Sequence, residues 1–517
     1  MIVDDQRDTR DFLARSANLG QSGPVTLIET HISLIALAGS RAFKMKRAVK
    51  LPYVDFSTPD LRLAACEAEL LMNSATAPGL YLRVRRIVRA TDGQLCLDGE
   101  GELVDALVEM VRFDQDLLFD RMAGAGKLTP ALMTQTARMI ARAHHQAPVI
   151  ADQDGANRVR AVLAINRAGF ATSDVFTADE ADRLTAGFET ELERLASLLD
   201  RRAALGRVRR CHGDLHLRNI CLLGGEPRLF DCIEFNASLA TTDVLYDLAF
   251  LLMDLWHRGF PFLANLVMNR YFDDAGGESD LKDSGLRLLP FFLALRASVR
   301  AHVVATQVSE AAQRSPDLVA EARSYFRLAE SLFQPRPARL VAIGGLSGSG
   351  KSTLADHLAP EIGLPPGARL LESDRLRKAL FGVPAETRLP QAAYRAEISA
   401  KVYEGMAERA ATLLSQGVSV VADAVFDRPE DRSRMRAAAD TATATATTTA
   451  GAQFTGIWLD ADAALLRSRV DKRAPGVSDA TLDVLARQLE RRPDVTDWQT
   501  ISADQPLEAL VSAALRA

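Results

Sequence analysis

Three glycines, Gly345, Gly348 and Gly350, lead directly into Lys351, Ser352 and Thr353 in the run Gly345-Leu-Ser-Gly-Ser-Gly-Lys-Ser-Thr353, which fits G-x-x-x-x-G-K-[ST]. Glycine lets backbone N–H groups come close to an anion, and a helix N-terminus adds positive potential. Lys351 would reach the outer phosphates of a nucleoside triphosphate, and the hydroxyl of Ser352 would ligate Mg²⁺. Ser347, Ser349 and Thr353 complete the expected ATP-binding set. The pattern has meaning only between a strand and a helix. Leu340 to Gly345 reads as a buried strand, and Leu354, Leu358 and Ile362 recur at helical spacing behind Lys351.

A second run, His212-Gly-Asp-Leu-His-Leu-Arg-Asn219, has the spacing H-x-D-x-x-x-x-N of a kinase catalytic loop. Asp214 could accept a hydroxyl proton while Asn219, on the same loop, holds a metal ion. Leu229-Phe230-Asp231 follows, an apolar strand ending in a carboxylate suited to a second metal contact. Around the glycine-rich run, Asp374 closes an apolar segment and could orient or deprotonate an acceptor hydroxyl, with Arg377 one helical turn on. It also fits a helix N-cap, and the two roles are compatible. Asp423 ends the strand Val418 to Asp423 and is expected on Mg²⁺. Arg467, Arg469 and Arg473 precede Ala474-Pro-Gly-Val-Ser-Asp479, and Arg469 and Arg473 are the expected cations on the transferring group.

These groups need scaffolds. Gln334-Pro-Arg-Pro-Ala338 breaks any helix and precedes the strand at Leu340, which puts the main boundary between residues 335 and 336. Downstream, apolar runs at 340–345, 369–372, 418–423, 454–460 and 498–502 alternate with helical segments, predicting a parallel sheet covered on both faces. The Thr/Ala tract 441–450 reads as a surface connection. Upstream, short β-rich runs at 25–50 and 81–113 flank a helical stretch at 60–75, and residues beyond 128 are mostly helical. The expected outline is a small lobe over about 24–112 and a helical lobe over about 113–332.

Composition narrows the function. At 517 residues, 48 % hydrophobic and 25 % charged, the chain can build more than one core. Net charge is -5, and residues 336–517 balance 23 basic against 23 acidic side chains, so no basic field advertises nucleic acid. Five cysteines without a C-x-x-C pair argue against a disulfide framework or a zinc site and point to a reducing cytoplasm. The N-terminus lacks an apolar signal core, and Asp247 and Asp254 interrupt the apolar run near 245–253, which argues against a membrane span.

His212 to Asn219, followed by Phe230-Asp-Cys-Ile-Glu-Phe-Asn236, resembles the aminoglycoside phosphotransferase and choline kinase group. With the glycine-rich run, the chain is similar to bacterial two-domain proteins that join such a domain to an AAA-type P-loop kinase domain of the gluconate or polynucleotide kinase kind. Glu29 to Ser33, Ala42 to Lys46 and Asp55 to Thr58 match the opening of that pattern. The resemblance implies an α+β protein-kinase-like fold over 1–335 and an α/β P-loop fold with a parallel sheet over 336–517. It implies Lys44 as the lysine on the nucleotide phosphates, with Lys46 its rival on the same strand face, and Glu69 as its partner, with Glu67 second. Val418 to Asp423 resembles the second metal motif of P-loop enzymes, and the arginines near 469 resemble the lid of small P-loop kinases. Two departures stand out: no G-x-G-x-x-G loop precedes Lys44, and residues 237–243 are less polar than the family pattern. His144 and His145 read as helix-face residues.

The function expected is a bifunctional ATP-dependent phosphotransferase, each domain passing the γ-phosphoryl of ATP to a hydroxyl of a small molecule. The alternatives are a P-loop domain acting as a nucleotide-bound switch, or a polynucleotide or nucleotide-sugar kinase.

Overall fold

The computed structural model describes residues 3–51, 54–150, 152–274, 283, 285–310, 315–445, 451–473, 476–491 and 493–517. The chain forms two compact units, Met1–Ala168 with Phe188–Asp254, and Gly169–Gly187 with Leu255–Ala517.

In the first unit, β1 (Val25–Glu29), β2 (Ser33–Ala38) and β3 (Arg41–Lys46) form an antiparallel meander. The short β4 (Lys50–Leu51) and β5 (Val54–Asp55) pair separately. β6 (Tyr81–Arg89), β7 (Leu95–Leu97) and β8 (Glu102–Val111) complete a six-stranded sheet of order β1-β2-β3-β8-β6-β7. Alternation along a strand gives β3 two faces. Phe43 and Met45 enter a core with Phe12, Leu13, Leu34 and Ile87, while Ala42 packs with Cys66 on the other side. Lys44 and Lys46 therefore share the face of Ala42, toward the helix Pro59–Thr76. That helix starts where Thr58 accepts the Leu61 N–H through its hydroxyl, with Pro59 in the first turn. β9 (Val208–Arg210), the hairpin of β10 (Ile220–Leu223) and β11 (Glu226–Leu229), and β12 (Thr241–Asp243) frame the loops that carry Asp214 and Asp231.

In the second unit, β13 (Arg339–Gly345), β14 (Arg369–Glu372), β15 (Val420–Asp423), β16 (Gln453–Asp460) and β17 (Gln499–Ser502) make the predicted parallel sheet, in the order β14-β15-β13-β16-β17. Ile343 and Glu372 both pair with Asp423, so the carboxyl ends of the three strands lie level. The glycine-rich loop, Asp374 and Asp423 then meet at the edge where open α/β sheets bind ligands. Val341, Ile343, Leu354, Leu358, Val421 and Ile457 fill the core beneath.

One expectation changes. The helix Pro429–Thr445 runs into the Thr/Ala tract with Ala442 buried, because alanine propagates a helix well; residues 446–450 lie outside the described set. The segment Leu286–Ser309 is apolar and long enough to cross a bilayer, and 78 % of its apolar 18-residue stretch is buried in the fold.

Candidate active sites

In the first unit, one carboxylate serves two lysines. Glu69 is fully buried on the helix Pro59–Thr76, with Lys44 Nζ 2.8 Å from its Oε1 and Lys46 Nζ 2.6 Å from its Oε2. Glu67 is exposed two residues away. The lysines differ in their second partner: Lys44 pairs with Asp231 and Lys46 with Glu234. Burial raises the Glu69 carboxyl, but the two ammonium groups outweigh it and bring its pKa down to about 2. Burial likewise pulls Lys44 down, and Asp231 and Glu69 more than reverse this, leaving it well above the ordinary lysine value.

Asp231 sits just past β11 with φ +61°, a left-handed conformation that Asp tolerates better than most residues. Its N–H donates to the Tyr81 hydroxyl at 3.0 Å, and the next N–H, of Cys232, donates to Asn73 Oδ1 at 3.1 Å. These bonds hold the turn that aims the carboxylate at Lys44.

The loop between β9 and β10 brings Asp214 and Asn219 together. Asn219 Nδ2 donates to Asp214 Oδ2 at 2.8 Å and to its carbonyl at 2.9 Å. His216 Nδ1 accepts the Arg218 N–H at 3.2 Å, which leaves Nε2 as the donor facing Asp214 Oδ2 at 3.2 Å. His212 is fixed in the same way: Nδ1 accepts the Asp214 N–H, Nε2 donates to the Phe230 carbonyl at 2.9 Å, and burial lowers its pKa. Beneath the loop, Asp247 accepts the Gly213 N–H at 2.7 Å and Asp254 the Leu217 N–H at 3.1 Å. Both acids project from the helix Val244–His257. His144 Nε2 lies 3.1 Å from the other oxygen of Asp247, so this histidine belongs to the support of the loop.

In the second unit, Gly350 caps the helix Lys351–Leu358, and Ser352 Oγ donates to Asp423 Oδ2 at 2.5 Å. Burial raises Asp423 to about 7, with Lys351 and the Ser352 hydroxyl pulling the other way. Lys351 Nζ donates to the Leu346 carbonyl at 3.0 Å, and burial lowers its pKa. Gly348 has φ +89°, and a Cβ there would stand 2.7 Å from the Leu466 carbonyl oxygen. Ser347 donates its N–H to Gln488 Oε1 at 2.9 Å, whereas the buried Ser349 hydroxyl has no hydrogen-bond partner among the described residues. Thr353 is exposed on the first turn.

Asp374 opens the helix Ser373–Leu380 beside Ser478, and burial raises its pKa. Arg377 is buried, donates to the Ala393 carbonyl at 2.8 Å and lies over the Tyr394 ring at 4.8 Å. Arg469 reaches the Ser349 carbonyl at 3.5 Å and the Ala503 carbonyl at 3.1 Å. Arg467, Arg469 and Arg473 are exposed, and the charge of Arg473 pulls the Lys351 pKa down as well. Of the segment expected as a lid, residues 474 and 475 lie outside the described set.

Sequence reasoning did not single out Tyr81, Glu234, His216 or Gln488, nor a role for Asp247 and Asp254. Glu234 lay within the quoted motif, three residues after Asp231. Asp247 and Asp254 were visible as charges in an apolar helix seven residues apart, which is two turns and hence one face.

Comparison with known proteins agrees with both architectures. Residues 95–280 match the family described as phosphotransferase enzyme family, and residues 340–494 match the AAA domain. The uncharacterized protein Rv2004c of Mycobacterium tuberculosis is 30 % identical over 501 residues, 94 % of each chain, and the uncharacterized protein Mb2027c of Mycobacterium bovis matches to the same extent. Among solved structures, a choline/ethanolamine kinase family protein from Mesorhizobium loti aligns with 63 % of this chain and 94 % of its own at 16 % identity and TM-score 0.38. A gluconokinase from Sinorhizobium meliloti aligns with 35 % of this chain and 92 % of its own at 22 % identity and TM-score 0.25.

Proposed function

Because the chain belongs to the family of these mycobacterial proteins, as an ATP-dependent phosphotransferase with a phosphotransferase-family segment and an AAA-domain segment, we propose that it is bifunctional. Each segment, 1–335 and 336–517, passes the γ-phosphoryl of ATP to a hydroxyl of a small molecule in the cytoplasm. The observation that supports this reading is that each unit gathers its own group of residues of the types that handle phosphate and metal. Lys44, Glu69, Asp231, Asp214 and Asn219 make up one set, and the Gly345 to Thr353 loop with Asp423, Asp374 and the nearby arginines makes up the other.

In the first site Lys44 holds the nucleotide phosphates. Asp214, kept in place by Asn219 and His216, takes the proton from the acceptor hydroxyl as the new O–P bond forms and the bond from the γ phosphorus to the bridging oxygen breaks. In the second site Asp374 takes that proton. Arg377, Arg469 and Arg473 add positive charge around the transferring group, and the backbone of the glycine-rich loop and Lys351 cradle the triphosphate. The donor sets fit Mg²⁺: a carboxylate and an amide at Asp231 and Asn219, a hydroxyl and a carboxylate at Ser352 and Asp423, all hard oxygen ligands. The ion supplies neutralisation of phosphate charge when bound.

All five cysteines are free, as suits a reducing compartment. The deciding experiment incubates the purified chain with labelled ATP and a cell metabolite extract, alongside Asp214→Asn and Lys351→Ala. Each substitution is expected to remove a different labelled product. Labelling that survives both changes would overturn the proposal.

A further inference from the structure

β14 is one of the two outer strands of the parallel sheet, and an outer strand leaves backbone N–H and C=O groups in need of partners. Here a helix supplies them with side chains. From the helix Pro261–Asp274, Asn265 Nδ2 donates to the carbonyls of Pro366 at 2.9 Å and Ala368 at 3.0 Å. Asn269 Oδ1 accepts the N–H of Leu370 at 2.8 Å. Both asparagines are buried, so the strand edge is sealed by amides standing in for a sixth strand.

Arg270, next on that helix and also buried, adds charge to the grip. Its Nη1 lies 2.9 Å from Glu372 Oε2 and its Nη2 3.7 Å from Asp356 Oδ1. Glu372 also takes Arg375 Nε at 2.6 Å. Glu372 is the last residue of β14, and Asp374 follows in the first turn of the next helix. Asp356 lies on the helix that begins at Lys351. One guanidinium thus hydrogen-bonds Glu372, and Asp273 of its own helix, through Nη1 and stands at ion-pair distance from Asp356, so it meets both segments, those that carry Asp374 and Ser352. It comes from residues inside the phosphotransferase-family match, 95–280, not from the AAA-domain match.

A buried ion cluster is a weak source of net stability, because desolvation takes back most of the Coulombic gain. Its distinctive property is geometric, since a fork of N–H donors fixes the directions of the carboxylates it meets. We infer that Arg270 is a positioning residue for the reaction at Lys351: by hydrogen-bonding Glu372, with Asp356 drawn in by charge, it sets where Asp374 stands relative to the glycine-rich loop. A helix of the phosphotransferase-family segment therefore takes part in the chemistry of the P-loop segment without touching nucleotide or acceptor. This inference rests on the reading of the Lys351 site as a phosphoryl-transfer centre.

A double-mutant cycle on the full chain tests it, with Mg·ATP as substrate and water as the acceptor. The quantity followed is the turnover that Lys351→Ala abolishes. Arg270→Met is expected to lower it about tenfold while KM for ATP moves less than about threefold, and Arg270→Lys to restore part of the loss. In an Asp374→Asn background the same Arg270→Met step is expected to cost less than about twofold, because the group it positions has lost its role. An equal loss in both backgrounds, or no loss in either, overturns the positioning role. Should the methionine variant not fold, Arg270→Lys measured in both backgrounds decides by the same comparison. If Lys351→Ala removes no part of the turnover, the phosphoryl-transfer reading of the site is overturned instead.

Discussion

Asp247 accepts the backbone N–H of Gly213 at 2.7 Å, across 34 residues of sequence, and so ties a buried helix to the loop that carries Asp214. A hydrogen bond to a charged acceptor contributes about 1.5–3 kcal/mol, and its loss leaves a buried N–H unpaired. Asp247→Ala is expected to destabilise the first unit by ~2 kcal/mol or more in denaturant unfolding. Asp214-dependent turnover should fall further than ATP affinity does. Asp247→Asn keeps an acceptor for Gly213 and should lie between the two.

Lys44 and Lys46 share Glu69, yet only Lys44 also meets Asp231. Lys44→Met is expected to cut turnover at the first site at least about a hundredfold, as removal of a principal phosphate contact does. Lys46→Met should instead register mainly as lost stability, because it takes the ammonium partner from the buried Glu234 and leaves Glu69 with Lys44 alone. Nucleotide titration and thermal melting of the two variants, side by side, separate these roles. Equal loss of turnover in both would place Lys46 on the nucleotide as well.

Glu69 makes one contribution to the pH dependence of the first unit. Its folded-state pKa of about 2 lies below the ordinary value of 4.5, so the unfolded chain binds the proton more readily. The stabilisation is complete above about pH 4.5 and is lost as pH falls toward 2. Glu69→Gln should reduce stability at pH 7 and show a shallower decline than the parent chain between pH 5 and pH 2. Denaturant midpoints measured across that range check the slope.

Gly348 is constrained twice, by φ +89° and by the Leu466 carbonyl oxygen 2.7 Å from where a Cβ would stand. Gly348→Ala is expected to cost roughly 1–3 kcal/mol of strain, taken up by the glycine-rich loop. ATP binding that depends on Lys351 should weaken about tenfold or more. Turnover that depends on Asp214 should be unchanged.

Much of this was legible along the chain. The strands at 340–345 and 369–372 follow from short apolar runs between turn signals, and the loop between β13 and its helix from an eight-residue pattern whose glycines have a backbone reason. Asp214, Asn219 and Asp231 were legible because their spacing within one loop and hairpin is short. The supports were not. Asp247 appeared only as a charge that spoiled an apolar helix, and His144 as one histidine among helix-face residues, since nothing local says what a buried polar group faces. The first half of the Thr/Ala tract misled because its composition suggested a connection while Ala442 and Ala444 continued a helix.

By itself the sequence determined the two phosphate-handling motifs, the elements that flank them and the donor each calls for, because those properties depend on residue type and on neighbours a few positions away. Only the tertiary structure gives chemically equivalent candidates different surroundings. Lys44 and Lys46 lie on the same face of one strand, and Glu67 and Glu69 are one helix apart by two residues; what separates them is which reaches Asp231 and which is buried. The same holds for Arg270 and Glu372, 102 residues apart and 2.9 Å from each other. Pairings of that kind are set by how helices and strands pack, and packing is a property of the whole fold that no local pattern encodes.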